Sequence, residues 1–225
     1  MTIEEYFGDW TKVIDINKLK TLMLSVGQEY KVKTVYPAQT EVFKAFKLCP
    51  LKDLKVVMLF QDPYPQKDIA TGIALANKGN TDEDKLSSSL QVLKEAVINY
   101  EIPHKRIIFD TTLETWEKQG VLMLNSALTV EANNIGSHVM LWRPFITDLL
   151  KNLSEYNTSI VYVLFGQQAK TFKPYINKKF NYIITVEHPA YFARTGTKMP
   201  YKLFKDINNI IKGLYNESIE WYKEI

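Results

Sequence analysis

Lys55-Val56-Val57-Met58-Leu59-Phe60-Gln61-Asp62-Pro63-Tyr64-Pro65 holds the first clear structural signal of the chain. The run over residues 55–60 is too short for an ordinary helix, and its aliphatic and aromatic content suits a strand buried on both faces. The two prolines beyond it cannot donate to a strand ladder, so the strand ends there. Three further runs have the same character: Val121–Asn125, residues 160–165 and Tyr182–Val186. Apolar residues recur with helical spacing over 86–100, 113–119, 144–153, 167–176 and 201–214. Strands that alternate with helices predict an α/β fold, with a four-stranded parallel twisted sheet and helices on both faces. One domain over residues 1–225 is expected. Its first fifty-odd residues read as helices packed on the outside of the core, and residues 77–84 read as a polar surface loop.

Composition narrows the function classes. With 225 residues, 46% of them hydrophobic, the chain can bury a sizeable core, and no run approaches the roughly 18 apolar residues of a membrane span. The acidic opening Thr2-Ile3-Glu4-Glu5 is unlike a signal peptide, which predicts a cytoplasmic protein. The single cysteine, Cys49, rules out an internal disulfide, a zinc ribbon and a four-cysteine iron–sulfur cluster, and reads as a small buried side chain. Net charge is only +3, but residues 166–205 carry +7 and the remainder −4. That imbalance suits a phosphate-facing surface and equally a solvated lysine-rich face.

The residues just beyond each strand form the more informative pattern. The first run exits into Gln61-Asp62-Pro63-Tyr64-Pro65, the second into Asn125-Ser126, the third into Gly166-Gln167-Gln168 and the fourth into Glu187-His188-Pro189-Ala190. An open parallel sheet holds its ligand crevice at the carboxyl ends of its strands, so Asp62, Asn125 and His188 are expected to converge there. Taken singly, each has a structural reading as a turn former, a cap or a packed imidazole.

These segments resemble the classical uracil-DNA glycosylases. Gln61-Asp62-Pro63-Tyr64 is similar to that family's water-activating motif, and Gly72-Ile73-Ala74-Leu75-Ala76 lies at the family's spacing from it. Gly120-Val121-Leu122-Met123-Leu124-Asn125-Ser126 resembles its uracil-reading strand, and His188-Pro189-Ala190-Tyr191-Phe192 its His-Pro loop. Ser137-His138, Trp142, Phe165-Gly166 and Ile219-Glu220-Trp221 extend the similarity over about residues 36–221.

The resemblance implies release of uracil from DNA, leaving an abasic site, by a monomer that needs neither metal nor cofactor. Uracil-containing DNA, single- or double-stranded, is the implied partner, with no membrane involved. Breaking an N-glycosidic bond leaves positive charge on the sugar and negative charge on the base, so an anion and a donor are needed on opposite sides. Asp62 is implied to orient water and stabilise the sugar, while neutral His188 donates to uracil O2. Asn125 is implied to read N3–H and O4, and Tyr64 to exclude a thymine methyl. Gln61 is expected to shape the same pocket through its backbone, with Leu75 as its floor. Ser88, Ser89, Pro189, Ala190 and Arg194 are the expected DNA contacts, Ser89 being the best match to a phosphate-gripping serine. Phe192 stands at the position of an apolar wedge that fills the gap left by the flipped base. No lysine lies inside these motifs, which favours hydrolysis over Schiff-base lyase chemistry.

Four positions depart from the family pattern. Phe60 replaces a glycine, Pro65 a histidine, Leu75 the phenylalanine that stacks on uracil, and Ala190 a serine. Asp-Pro-Tyr-Pro and His-Pro-Ala also occur in viral members. Leu75 implies weaker stacking on the base, unless Phe60 supplies the missing aromatic surface. Two rival readings remain at this level. One is a glycosylase-like DNA-binding or processivity subunit with weak catalysis, against which the joint presence of Asp62, Tyr64, Asn125 and His188 argues. The other is an unrelated α/β hydrolase of small nucleosides, which would have no use for a wedge or a basic loop.

Overall fold

The computed structural model describes residues 2–79, 85–99 and 106–225. In chain order the helices are α1 (Ile3–Phe7), α2 (Ile16–Val32), α3 (Lys44–Leu48), α4 (Ser88–Val97), α5 (Glu114–Glu117), α6 (Val139–Tyr156), α7 (Gly166–Lys170), α8 (Pro189–Thr195) and α9 (Lys202–Tyr215). The strands are β1 (Val35–Tyr36), β2 (Val56–Phe60), β3 (Ile107–Ile108), β4 (Val121–Asn125), β5 (Val130–Glu131), β6 (Val161–Phe165), β7 (Tyr182–Val186) and β8 (Lys223–Glu224). Four of them form the central sheet, in the order β4-β2-β6-β7 and parallel throughout, as the alternating pattern predicts. Two short antiparallel pairs, β1 with β5 and β3 with β8, tie loops together outside it.

Alternation along the strands divides the core in two. Val57, Leu59, Leu122, Leu124, Tyr162 and Leu164 face one layer, where Phe7, Trp10, Leu19 and Val26 of the N-terminal segment pack with Trp142, Ile146 and Leu150 of α6. Val56, Met58, Phe60, Met123, Val163 and Phe165 face the other, against Leu90 and Leu93 of α4, Trp116 of α5 and Phe204 and Ile207 of α9. Cys49 is fully buried in the first layer.

The structure corrects several sequence expectations. The strand at 182–186 is not a core strand: it is the sheet edge, with Tyr182 and Thr185 exposed and only Val186 buried. The helix expected over 144–153 begins at Val139 and carries Pro144 inside it. The missing N–H of Pro144 leaves only the carbonyl of Met140 without an intrahelical donor, and Met140 is exposed, so water can serve it. The helix expected over 167–176 stops at Lys170 and resumes as a 3₁₀ turn at Lys173–Tyr175, because Pro174 has no N–H to offer the Lys170 carbonyl. Residues 80–84 of the expected polar loop, and Tyr100 at the end of the helix expected over 86–100, lie outside the described residues.

Gly120 sets the entry into β4. Its carbonyl accepts from the N–H groups of Lys55 (2.9 Å) and Val56 (3.0 Å), which fixes the β2–β4 register. It holds φ +90°, and a Cβ there would lie 2.0 Å from the Asp53 carbonyl oxygen. A side chain at this position combines left-handed strain with a backbone clash. Gly120→Ala should therefore cost about 3 kcal/mol of stability, read from the midpoint of chemical denaturation. An unshifted midpoint would show that the β4 entry is not constrained in this way.

Candidate active site

A cleft of about 630 Å³ opens at the carboxyl ends of the central strands. The residues after β2 form one wall: Gln61, Asp62 and Tyr64 all line it. The residues after β6 and β7 form another, with Gly166, His188 and Ala190. Ser88 and Ser89, in the first turn of α4, and Arg194 of α8 also face it. Nine of the twelve residues expected from sequence thus line one cavity, Leu75 being the ninth.

Asp62 is held from two sides. The Gly136 N–H donates to its Oδ2 at 2.5 Å, and the Gln61 side chain also hydrogen-bonds to it. Burial pushes its carboxyl above the usual range, and those two donors pull the other way. The loop carrying Gly136 is itself pinned. Asn133 N–H donates to the Pro65 carbonyl (3.0 Å), Ser137 Oγ accepts from Glu131 N–H (2.9 Å), and buried His138 Nδ1 pairs with Thr129 Oγ1 (2.8 Å), which also accepts from Trp142 Nε1 (2.7 Å). Ser137, His138 and Trp142 thus support the carboxylate from behind. Gly136 carried no signal in the sequence, because a backbone donor 74 residues from its acceptor leaves no local pattern.

His188 caps α8. Its Nδ1 accepts from the Ala190 N–H at 3.1 Å, so in the neutral ring the proton sits on Nε2. Burial lowers its pKa to about 4. Gly166, at φ +80°, leaves room for it: a Cβ there would stand 3.0 Å from His188 Cβ. Beside it, Glu187 pairs with Lys170 of α7.

Asn125 ends β4 opposite Phe60 and is only 8% exposed. Ser126 Oγ and Ala127 N–H both donate to the Gln61 carbonyl at 2.9 Å, which staples this segment to the Asp62 loop. Gln61 therefore acts on the site through both its backbone and its side chain. Tyr64 Oη bonds the Leu75 carbonyl (3.0 Å) and Ser87 Oγ (2.5 Å), and Ser87 Oγ donates to Asn77 Oδ1 (3.1 Å). Ser87 is the N-cap of α4, which leaves Ser88 and Ser89 as the serines that face the cleft.

Three expected residues do not line the cavity. Asn125 and Pro189 are both buried. Phe192 is the substantive correction. It is 8% exposed and packs in the core layer beneath α8 rather than lining the cleft. Tyr191 beside it is 41% exposed, lines the cleft and meets Phe192 edge-on at 5.3 Å. The helical turn of α8 explains the exchange: neighbouring residues point about 100° apart, and the amphipathic face takes Phe192 inward. Phe60 is fully buried and stacks on Phe165, so it offers no aromatic surface to the cleft. The basic segment is also less uniform than its charge suggests. Lys170 is spent on Glu187, while Lys178 and Lys179 precede β7, at the end of the sheet away from the cleft.

With this geometry in place, the chain can be set against known proteins. It matches the Uracil DNA glycosylase superfamily over residues 46–212. It is 32% identical to the uracil-DNA glycosylase of Fusobacterium nucleatum, over 96% of each chain, and 33% identical to that of Campylobacter lari, over 94% of this chain and 93% of the other. Among solved structures, mimivirus uracil-DNA glycosylase superposes with a TM-score of 0.81 at 24% identity, covering 98% of this chain and 87% of that one. The UNG of Nitratifractor salsuginis gives 0.63 at 20%, covering 91% and 89%. The fold agrees with both structures, and the sequence match spans the strand ends that build the cleft: this chain belongs to the uracil-DNA glycosylase superfamily.

Proposed function

We propose that the cleft receives a deoxyuridine flipped out of DNA and hydrolyses its N-glycosidic bond, releasing uracil and leaving an abasic site. The observation that carries this reading is the pairing of Asp62 and His188, a carboxylate and a neutral imidazole from two different strand ends that face the same cavity. Asp62 orients the attacking water and, as an anion, stabilises the positive charge that grows on the sugar. The water's oxygen bonds to C1′ as the C1′–N1 bond breaks, and the electron pair leaves with uracil. His188 Nε2–H donates to uracil O2, where the negative charge collects. The proton released by the water passes to Asp62 and then to solvent. Arg194 is the only strongly basic side chain among the cleft-lining residues described, and no lysine is among them, which supports hydrolysis over imine chemistry.

Specificity arises from neighbouring groups. The Asn125 amide accepts from N3–H and donates to O4, a pattern that cytosine reverses at a cost of about 1–3 kcal/mol for each unpaired buried group. Tyr64, clamped through its hydroxyl, sets its ring against C5 and excludes a methyl group. On the DNA side, Ser88 and Ser89 at the N-terminus of α4 and Arg194 meet phosphates, with Ala190 and Pro189 shaping the backbone path. Tyr191 takes the wedge role, with Phe192 as its buried anchor. The site is assembled from one chain, and we take the enzyme to act as a monomer in the cytoplasm on single- and double-stranded DNA. Among the described residues no helix is long and apolar enough to cross a membrane.

Incubating the protein with a uracil-containing oligonucleotide in EDTA should release free uracil and leave an uncut strand with an abasic site; direct strand cleavage or a metal requirement would overturn the reading. Asp62→Asn and His188→Ala should each lower single-turnover excision by about 10²–10⁴-fold with little change in DNA affinity.

The pH dependence separates the two roles. Asp62 must be ionised and its carboxyl is raised, so excision should climb with pH through that ionisation; His188 is already neutral above about 4 and adds no limb near 6.5. A limb near 6.5 that survives Asp62→Asn and vanishes in His188→Ala would mean that the imidazolium is the active form.

The substrate-reading groups and the wedge give separate signatures. Asn125→Asp should release some cytosine and Tyr64→Ala some thymine from normal DNA, each with reduced uracil activity; folded variants with neither activity would contradict the pocket. Because Phe60 is buried, Leu75→Phe alone should raise excision efficiency by restoring base stacking, worth about 1–3 kcal/mol in nucleic-acid sites. A loss instead would mean that the ring overpacks the cleft. Tyr191→Ala should impair excision from duplex more than from single strands, whereas Phe192→Ala should chiefly destabilise the fold, by about 3–5 kcal/mol. Equal effects of Tyr191→Ala on both substrates would remove it as the wedge.

A further inference from the structure

We propose that Phe60 is the positioning residue for His188: its buried ring, stacked on Phe165, forms the platform that fixes the imidazole and shields its inner face from water. This rests on the glycosylase reading above, in which His188 must stay neutral and aim one N–H at the base.

The geometry is specific. Phe60 ends β2, with Asn125 opposite it on β4. On the other side, Leu59 pairs with Leu164 of β6, which places Phe60 beside Phe165 on the same sheet face. The two rings stack at 4.4 Å with an interplanar angle of 9°. Both are fully buried, so neither has another place to go. The chain leaving β7 then brings His188 over this pair, and its ring meets Phe60 at 5.9 Å and 86°. One apolar side chain therefore separates the Asn125 strand end from the imidazole.

This contact supplies what His188 otherwise lacks. Its Nδ1 is fixed by the Ala190 N–H, which sets the tautomer and leaves the tilt of the ring to packing. Gly166 permits the close approach of His188 Cβ but contributes no side chain. Phe60 provides the wall. The titratable and charged groups around the same cavity are Asp62, Tyr64, Tyr191, Arg194 and Glu187, the last held by Lys170. Burial alone accounts for the depressed imidazole. A small side chain at position 60 would open the inner face of His188 to water, and that desolvation would weaken.

The test compares Phe60→Ala, Phe60→Leu and Phe165→Leu in the full chain. The His188 imidazole is titrated by NMR in the free protein, and excision from a single-stranded uracil oligonucleotide is followed from pH 4 to 8. Phe60→Ala should raise the His188 pKa from about 4 toward the ordinary 6.5, lower kcat about tenfold with KM within twofold, and create a new acid limb below pH 6.5. Phe60→Leu, which keeps apolar bulk, should recover most of the rate and the depressed titration. Phe165→Leu leaves Phe60 present but unsupported, and should move the titration in the same direction by a smaller amount. A folded Phe60→Ala whose His188 titration does not move overturns the proposal, whatever its rate. If Phe60→Ala does not fold, an unmoved titration in Phe165→Leu does the same. The titration needs no substrate, so a parent protein that releases no uracil would sink the glycosylase reading and leave this contact to be judged separately.

Discussion

The parallel pairing of β2 with β4 on one side and β6 on the other is the constraint from which the site descends. Because the strands run the same way, their carboxyl ends lie along one edge, and the residues just beyond them become neighbours despite separations of sixty residues or more. The register sets Phe60 against Asn125, and the stapling of Gln61 by Ser126 and Ala127 carries that alignment past the end of the ladder. Asp62 begins where the ladder stops. A slip of one residue would turn Asn125 and Phe60 to the opposite face of the sheet and scatter the constellation.

Burial then gives Asp62 and His188 complementary properties. The same loss of water raises the carboxyl of Asp62 and lowers the imidazole of His188, because in each case the charged form is disfavoured. For His188 this preserves a neutral ring that can donate through Nε2. For Asp62 it opposes ionisation, and the Gly136 N–H and the Gln61 side chain counter it by hydrogen-bonding to the carboxylate. The loop that delivers Gly136 therefore helps to hold the Asp62 carboxylate through its backbone. Its anchorage on Thr129, His138 and Trp142 keeps the donor in place without mobile surface groups.

The side of the cleft formed by α4 and α8 is built differently. Two helix N-termini, those of α4 and α8, look into one cleft, with Ser88 and Ser89 on the first and the His188 cap on the second. Positive charge near the cavity is concentrated in Arg194, while several lysines of the basic segment are engaged elsewhere or lie at the far end of the sheet. The cleft is therefore lined more by helix N-termini and hydroxyls than by the positive charge of the segment.

Local patterns in the chain were enough to specify the four strands, their parallel arrangement, the two helical layers and the convergence of Asp62 and His188, whereas Asn125, expected beside them, is buried and does not line the cleft. Apolar run length, helical spacing and the residues at strand exits carry that information, and all three are read over a few neighbouring positions. They also located Ser88 and Ser89 at a helix start, though the capping of that helix by Ser87, whose Oγ accepts from the Leu90 N–H, emerged only from the structure. Features that depend on direction and distance emerged only once the chain was packed. Phe192 and Tyr191 are adjacent and both aromatic, and only the seating of α8 on the core sends one inward and the other into the cleft. Phe60 read as a substitution next to the catalytic motif, and its stack on Phe165 under His188 required three strands in register. Gly136 supplies a backbone N–H, which every residue but proline possesses, so no residue type could have announced it. The exposure of β7 was hidden for a related reason: strand composition reports apolar content, whereas burial depends on what packs over each face, and β4, at the opposite edge of the same sheet, is buried throughout.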